Sequence, residues 1–226
     1  MPDGFIETAA QAEMPTDRRI SGVVLAQVVD NVDRTGLGRV QIHIPSLPAI
    51  DPWARVATSM AGMSKTGTRY GAYFIPQKGD EVLVAFNCGD VNEPYILGCL
   101  WNGVDRPPTL VPTDAVRKRI IRTPKGQEVE FDDAIQSIII TSSTKQKITI
   151  GPTKIEMTTA EGKTSFTLDS VGNVSIRSTR SIELKAPTIT IEGEKVKVKG
   201  TNVTSIDGGR KCDIKAAQVL INEPTT

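Results

Sequence analysis

Ser181 to Gly200 read SIELKAPTITIEGEKVKVKG, and this stretch carries three apolar pairs, Ile182 and Leu184, Ile189 and Ile191, and Val196 and Val198, repeating every seven residues. Each pair is split by one polar residue. A spacing of two puts both members on one face of a β-strand, so the stretch reads as a series of short strands of identical design. The same unit extends back through Val174 and Ile176, Phe166 and Leu168, Ile155 and Met157, Ile148 and Ile150, and Ile138 and Ile140, at steps of seven to eleven residues. Forward, it reaches Val219 and Ile221. Between the pairs stand Gly151, Gly162, Gly172, Gly193, Gly200 and Gly208, the residue type that turns demand.

One such strand is not stable alone. Burying two apolar side chains contributes roughly 1.5–3 kcal/mol each, while ordering each residue costs about 1–2 kcal/mol. A single-chain left-handed solenoid would show an apolar residue every six positions, and the steps here do not fit that period. The expected architecture is therefore an intertwined, trimeric, triple-stranded β-helix, with each chain adding one strand per layer. Its shared core is assigned to Ile138, Ile140, Ile148, Ile150, Ile155, Phe166, Leu168, Val174, Ile176, Ile182, Leu184, Ile189, Ile191, Val196 and Val198. Strands climbing ~4.8 Å each would build a needle on the order of 50 Å tall.

The 226 residues divide into unlike halves, and the strand-forming vocabulary of Thr, Ile and Val with few aromatics makes the fold all-β. Lys and Arg number 27 against 26 Asp and Glu, so no global field exists to hold nucleic acid. Cys88, Cys99 and Cys212 are scattered and form neither a zinc pattern nor a disulfide framework; the expectation is reduced, packed thiols. The N-terminal segment has no apolar core flanked by positive charge, and nothing approaches the ~20 apolar residues of a membrane span, so synthesis in a cytoplasm without a signal peptide is expected.

Residues 1–18 are polar, carry Pro2 and Pro15, and read as an arm. From residue 19 to 107 the pattern tightens. GVVLAQVVDN ending at Asn31 is a strand, DRTGLG a turn, and RVQIHIP a second strand with Val40, Ile42 and Ile44 pointing inward. Further strands are expected around Trp53–Thr58, Val82–Phe86 and Tyr95–Leu100, with MAGMSKTGTRYG a Gly-rich loop. Five short strands fit a small closed barrel of the OB type, which removes sheet edges. Residues 108–118, with Pro108 and Pro112, read as a stiff linker, and 119–226 as the needle, opened by a hairpin turning at Lys125 and Gly126.

The barrel segment resembles the phage baseplate assembly protein V family, whose OB domain also occurs in the VgrG spikes of type VI secretion and in other contractile injection systems. The resemblance rests on GVVLAQVVDNVDRTGLGRVQIHIPSL from Gly22 to Leu47, WARVATSMAG from Trp53 to Gly62, and IPQKGDEVLVAFNCGDVNEPYILGCLWNG from Ile75 to Gly103. Within these motifs Gly36, Gly38, Pro76 and Gly79 are turn residues, and Gly98 is expected to permit a close backbone approach. The resemblance implies a homotrimeric central spike among baseplate components, driven by sheath contraction and in transient contact with a target membrane. The arm would meet a hub protein, a separate polypeptide since little chain precedes the barrel. Spikes of this family that bind iron at the apex do so through a HxH motif. Here the only histidine is His43, in the barrel, so no metal tip carries over and a separate PAAR-type tip protein is implied.

No catalytic or cofactor-binding residue is assigned. His43 lies on an alternating strand with no nucleophile nearby in sequence and reads as a hydrogen-bonded strand residue. Glu128 and Glu130 imitate a glycosidase pair, but read as solvated carboxylates. The competing reading is a ligand-binding OB module for oligosaccharide or nucleic acid, displayed on a β-solenoid stalk.

Overall fold

A computed structural model describes residues 19–220; the expected arm over 1–18, together with Ile221, lies outside the described residues. Strands β1 (Val23–Asp30), β2 (Val40–His43), β3 (Trp53–Val56), β6 (Glu81–Asn87) and β7 (Asp90–Cys99) close a five-stranded barrel in the order β1-β2-β3-β7-β6. Period-two alternation sends Ala26 and Val28 of β1, Val40 and Ile42 of β2, Val82 and Val84 of β6, and Ile96 of β7 into one dry core, each at most 2% exposed. Ile44, just past β2, is buried with them. The one parallel contact, β3 beside β7 with Arg55 opposite Tyr95, completes the closure.

The stretch expected as a loop instead pairs β4 (Ala61–Met63) with β5 (Arg69–Gly71) as a separate two-stranded hairpin. Strand β7 starts five residues earlier than expected. Asn87 pairs with Asp90 across a two-residue turn in which Cys88 and Gly89 both have positive φ, 49° and 85°, a geometry that matches the twist of two strands; the register then shifts between Asn87 and Phe86, which pairs with Pro94.

Within the expected linker, Asp114–Arg117 form a single helical turn, α1, and Lys118 already opens the next strand. From there seven strands run as an antiparallel meander: β8 (Lys118–Arg122), β9 (Glu128–Asp132), β10 (Ser137–Thr141), β11 (Lys147–Ile150), β12 (Lys154–Thr158), β13 (Thr164–Asp169) and β14 (Val174–Ser178). Over this region each strand pairs with its sequence neighbours in the same chain, which corrects the expectation of one strand per chain in every layer. The cause is local: five of the six turns contain a residue with positive φ, Gly126 at 81°, Gln136 at 51°, Lys145 at 69°, Gly162 at 66° and Gly172 at 96°, and fold one strand back on the one before it.

The described chain divides into two units, the first ending at Arg177 and the second beginning at Ser178. The described residues of the second unit contain no helix and no strand beyond the end of β14.

Candidate assembly interface

Strand register turns the apolar pairs of the meander into two continuous rows. Phe131 stands opposite Ile138, Ile138 opposite Ile150, Ile150 opposite Ile155, and Ile155 opposite Leu168. The second row runs Ile121, Val129, Ile140, Ile148, Met157 and Phe166. Cross-strand neighbours share a face, so both rows lie on the same side of the sheet. The other side carries Glu130, Thr149, Glu156 and Thr167, with Ile120 and Ile139 as apolar members on either side of Glu130.

Among the described residues of the first unit, no second layer covers the apolar side. Ile138, Ile140, Ile150, Ile155 and Met157 remain 36–44% exposed, whereas the barrel core residues are near zero. A groove of about 460 Å³ runs along the face, lined by Ile140, Ile148, Met157, Phe166 and Ile176. A sheet with one apolar face is stable only when that face packs on another layer. Seven of the residues assigned to a shared core, Ile138, Ile140, Ile148, Ile150, Ile155, Phe166 and Leu168, are thus gathered on one surface, and Val174 and Ile176 lie on the edge strand β14.

The remaining six, Ile182, Leu184, Ile189, Ile191, Val196 and Val198, belong to the second unit and are each more than half exposed. Among the described residues from 179 to 220, the one backbone hydrogen bond runs from the Lys211 N–H to the Gly208 carbonyl, at 3.2 Å. The other backbone groups of this segment are exposed and open to water or to another chain.

A polar cluster that sequence reading missed sits where the meander begins. Lys118 Nζ donates to Glu130 Oε1 at 3.0 Å and lies 3.6 Å from Asp132 Oδ2, and both carboxylate residues are at most 9% exposed. The Glu130 hydrogen bond raises the Lys118 pKa. Asp114, 6% exposed, accepts from the Thr109 hydroxyl at 2.7 Å and from Arg117 Nε at 2.9 Å, and its carboxyl is pulled below its ordinary value by Thr109 first. Glu128 pairs with Arg122, whose guanidinium also donates to the Pro108 carbonyl at 2.7 Å. Glu128 and Glu130 are therefore ion-paired rather than solvated. The available signal was the alternation Glu128, Glu130, Asp132 facing a run of Arg117, Lys118, Arg119 and Arg122.

The barrel turns are held by side chains. Asp33 accepts from the N–H groups of Thr35, Leu37 and Arg39 and from the Thr35 hydroxyl, and pairs with the Arg39 guanidinium at 3.1 Å. The Arg39 bond is the main cause of a carboxyl pKa far below the usual range. Gly36 and Gly38 take φ of 71° and 69° in this turn. At the second turn, Asp80 accepts from the Gln77 N–H at 2.7 Å beside Pro76, and the Gly79 N–H reaches back to the Val28 carbonyl at 2.8 Å. At Gly98 no heavy atom of the described residues lies within 4 Å of where a Cβ would point, so the close approach expected there is not made among them. His43 Nδ1 lies 2.9 Å from Asp51 Oδ1, which supplies its hydrogen-bond partner. The three cysteines are free but exposed, not packed, because Cys88 falls in the β6–β7 turn, Cys99 at the end of β7 and Cys212 in the extended segment.

Residues 24–101 match the family described as the type VI secretion system/phage-baseplate injector OB domain. The chain is 31% identical over 130 residues to the type VI secretion system spike protein VgrG3 of Vibrio cholerae, a match covering 51% of this chain and 12% of that protein. It is 36% identical over 89 residues to the spike protein VgrG5 of Pseudomonas aeruginosa, covering 38% of this chain and 11% of that one. A third relative, 30% identical over 138 residues, is the actin cross-linking toxin VgrG1 of Vibrio cholerae, with 54% of this chain and 12% of the toxin matched. The chain thus spans about an eighth of the length of the curated relatives it matches. Residues 24–101 thus match an injector OB domain of the type VI secretion and phage-baseplate kind, and over about half its length the chain is similar to VgrG spike proteins.

Proposed function

We propose that this protein is the structural central spike of a contractile injection machine, a homotrimer that joins a hub to a tip and punctures the target envelope when a sheath contracts. The observation that carries the reading is the pair of apolar rows on β8–β13, partly exposed in the first unit and followed by an extended segment with the same apolar pairs and no strand pairing among its described residues. Three copies of one sheet, each turning its apolar face to a common axis, give a closed prism with a dry core and a polar exterior. Beyond Ser178 the segment, unable to satisfy its backbone alone, winds with its counterparts as a triple-stranded β-helix.

The functional domains follow the sequence reading: barrel over 19–107, linker over 108–118, needle over 119–226. The barrels face the hub, contacted by the arm at 1–18, and the far end carries a separate PAAR-type tip protein. Contact with the target membrane is transient and mechanical, no nucleic acid is bound, and the protein performs no catalysis of its own. The machine assembles from copies made in the bacterial cytoplasm.

Light scattering and limited proteolysis test the reading together. A trimer has three times the chain mass of 24.4 kDa, about 73 kDa, and shields residues 178–220 from protease. A monomer whose extended segment is cut at once would overturn it.

A further inference from the structure

The charges of the barrel are sorted along the chain. From Pro52 to Gly79 the sequence holds Arg55, Lys65, Arg69 and Lys78 and no acid; from Asp80 to Asp105 it holds Asp80, Glu81, Asp90, Glu93 and Asp105 and neither Lys nor Arg. The fold converts this order into two faces. The basic stretch supplies the β4–β5 hairpin, which stands outside the barrel sheet with all six strand residues exposed. Beside it Met60, Met63, Tyr70, Tyr73 and Phe74 are each more than half exposed. A two-stranded hairpin left in water is marginal at best, and this one carries apolar side chains that stay more than half exposed among the described residues. The side chains of Lys65 and Arg69 have no ion-pair or hydrogen-bond partner among the described residues.

The acidic stretch supplies β6 and β7. On their outer face Leu25 of β1 stands opposite Leu83, and Leu83 opposite Gly98, where the missing side chain leaves open space. Next to this row is a groove of about 560 Å³ lined by Leu25, Glu81, Asn102, Val104 and Asp105. Glu81 and Asp105 both accept from the Asn102 amide, at 2.8 and 3.2 Å, and neither is paired with a cation among the described residues. Leu25 is 52% and Val104 88% exposed, so the groove is apolar with an unneutralised acidic rim.

We propose that the β4–β5 hairpin of one copy docks into the Leu25–Glu81–Asp105 groove of the next, so that three barrels close a ring by head-to-tail contacts. The inference rests on the trimeric reading and adds which surfaces meet. A cyclic trimer requires two different, mutually complementary patches on each copy, set on different sides of the subunit. This barrel has such a pair: the hairpin leaves the end of β3, the groove lies along β1 and β6, and β3 neighbours neither strand in the barrel order. Apolar side chains meet apolar lining, Lys65 and Arg69 meet Glu81 and Asp105, and the opposite pairing of either patch with itself places like charges together.

The test uses the full chain labelled with light or heavy nitrogen, unfolded, mixed and reassembled, its mass checked by light scattering, then treated with a zero-length carbodiimide crosslinker and digested for mass spectrometry. The expected products join Lys65 of one label to Glu81 or Asp105 of the other. Arg69→Glu should lower their yield about fivefold, the effect of an exposed ion pair, and Arg69→Glu with Glu81→Arg should restore the Lys65–Asp105 product. A trimer in which Lys65 forms no cross-label product, or in which Arg69→Glu leaves the yield unchanged, overturns the docking while sparing the spike. A monomer overturns both.

Discussion

Ile150→Asp puts the assembly reading to its sharpest test, because the substituted side chain lies in the middle of the exposed apolar face. Ile150 is on β11, the central strand of the meander, flanked across the sheet by Ile138 and Ile155, and is 41% exposed in the single chain. If the face stayed in water, an Ile to Asp change there would cost about 1–2 kcal/mol, from the three-fifths of the side chain already covered. If three copies share the face, the arithmetic differs. Burying the remaining two-fifths of an isoleucine worth roughly 1.5–3 kcal/mol stabilises the assembly by about 0.6–1.2 kcal/mol per chain, and this is lost. Each carboxylate must then either ionise in a dry core, at a cost of several kcal/mol per ion, or take up a proton. With three copies per layer the penalty reaches the order of 10 kcal/mol, comparable to the whole stability of a domain. Light scattering should show the trimer dissociated at neutral pH. Thr149→Lys, on the opposite face beside Glu156, is the control and should remain trimeric. A trimeric Ile150→Asp protein with unchanged melting temperature would refute the shared core.

Other expectations follow from the same geometry. Ile42→Ala, at a fully buried barrel position, should lower the stability of the barrel by about 2–5 kcal/mol in urea unfolding. Lys118→Ala leaves Glu130 and Asp132 without their cation, so it should shift the denaturation midpoint more than Lys154→Ala, which breaks a pair whose lysine is about half exposed. The Lys118 contribution, with its folded pKa raised, should be complete below the ordinary lysine value and fade only as pH rises beyond it. Asp33 works in the opposite sense. Its folded pKa is depressed, so the turn is stabilised above the ordinary carboxyl range and weakens as pH falls below it; Asp33→Asn should flatten that acid limb, read by thermal melts at stepped pH.

The residues themselves determined the class of fold, the barrel core and the apolar stripe. Val40, Ile42 and Ile44 alternate so regularly that only one register buries them, and the pairs at spacing two could face only one way. The resemblance of Gly22 to Gly103 to the injector barrel was likewise legible, since turn motifs keep their order along the chain. Three matters needed the third dimension. Whether neighbouring strands pair within the chain depends on turn conformation, and the positive φ of Gly126, Gln136, Lys145, Gly162 and Gly172 together with the strand pairing shows the meander up to Ser178. The β4–β5 hairpin was read as a loop because its strands, AGM and RYG, are too short and Gly-rich to show a period. The ion pairs of Lys118 were hidden because Glu130 and Asp132 lie twelve or more residues away in sequence and come alongside only through strand register. Periodicity is a local property that survives in one dimension; the partner of a charge and the pairing of a strand depend on what the folded chain brings alongside.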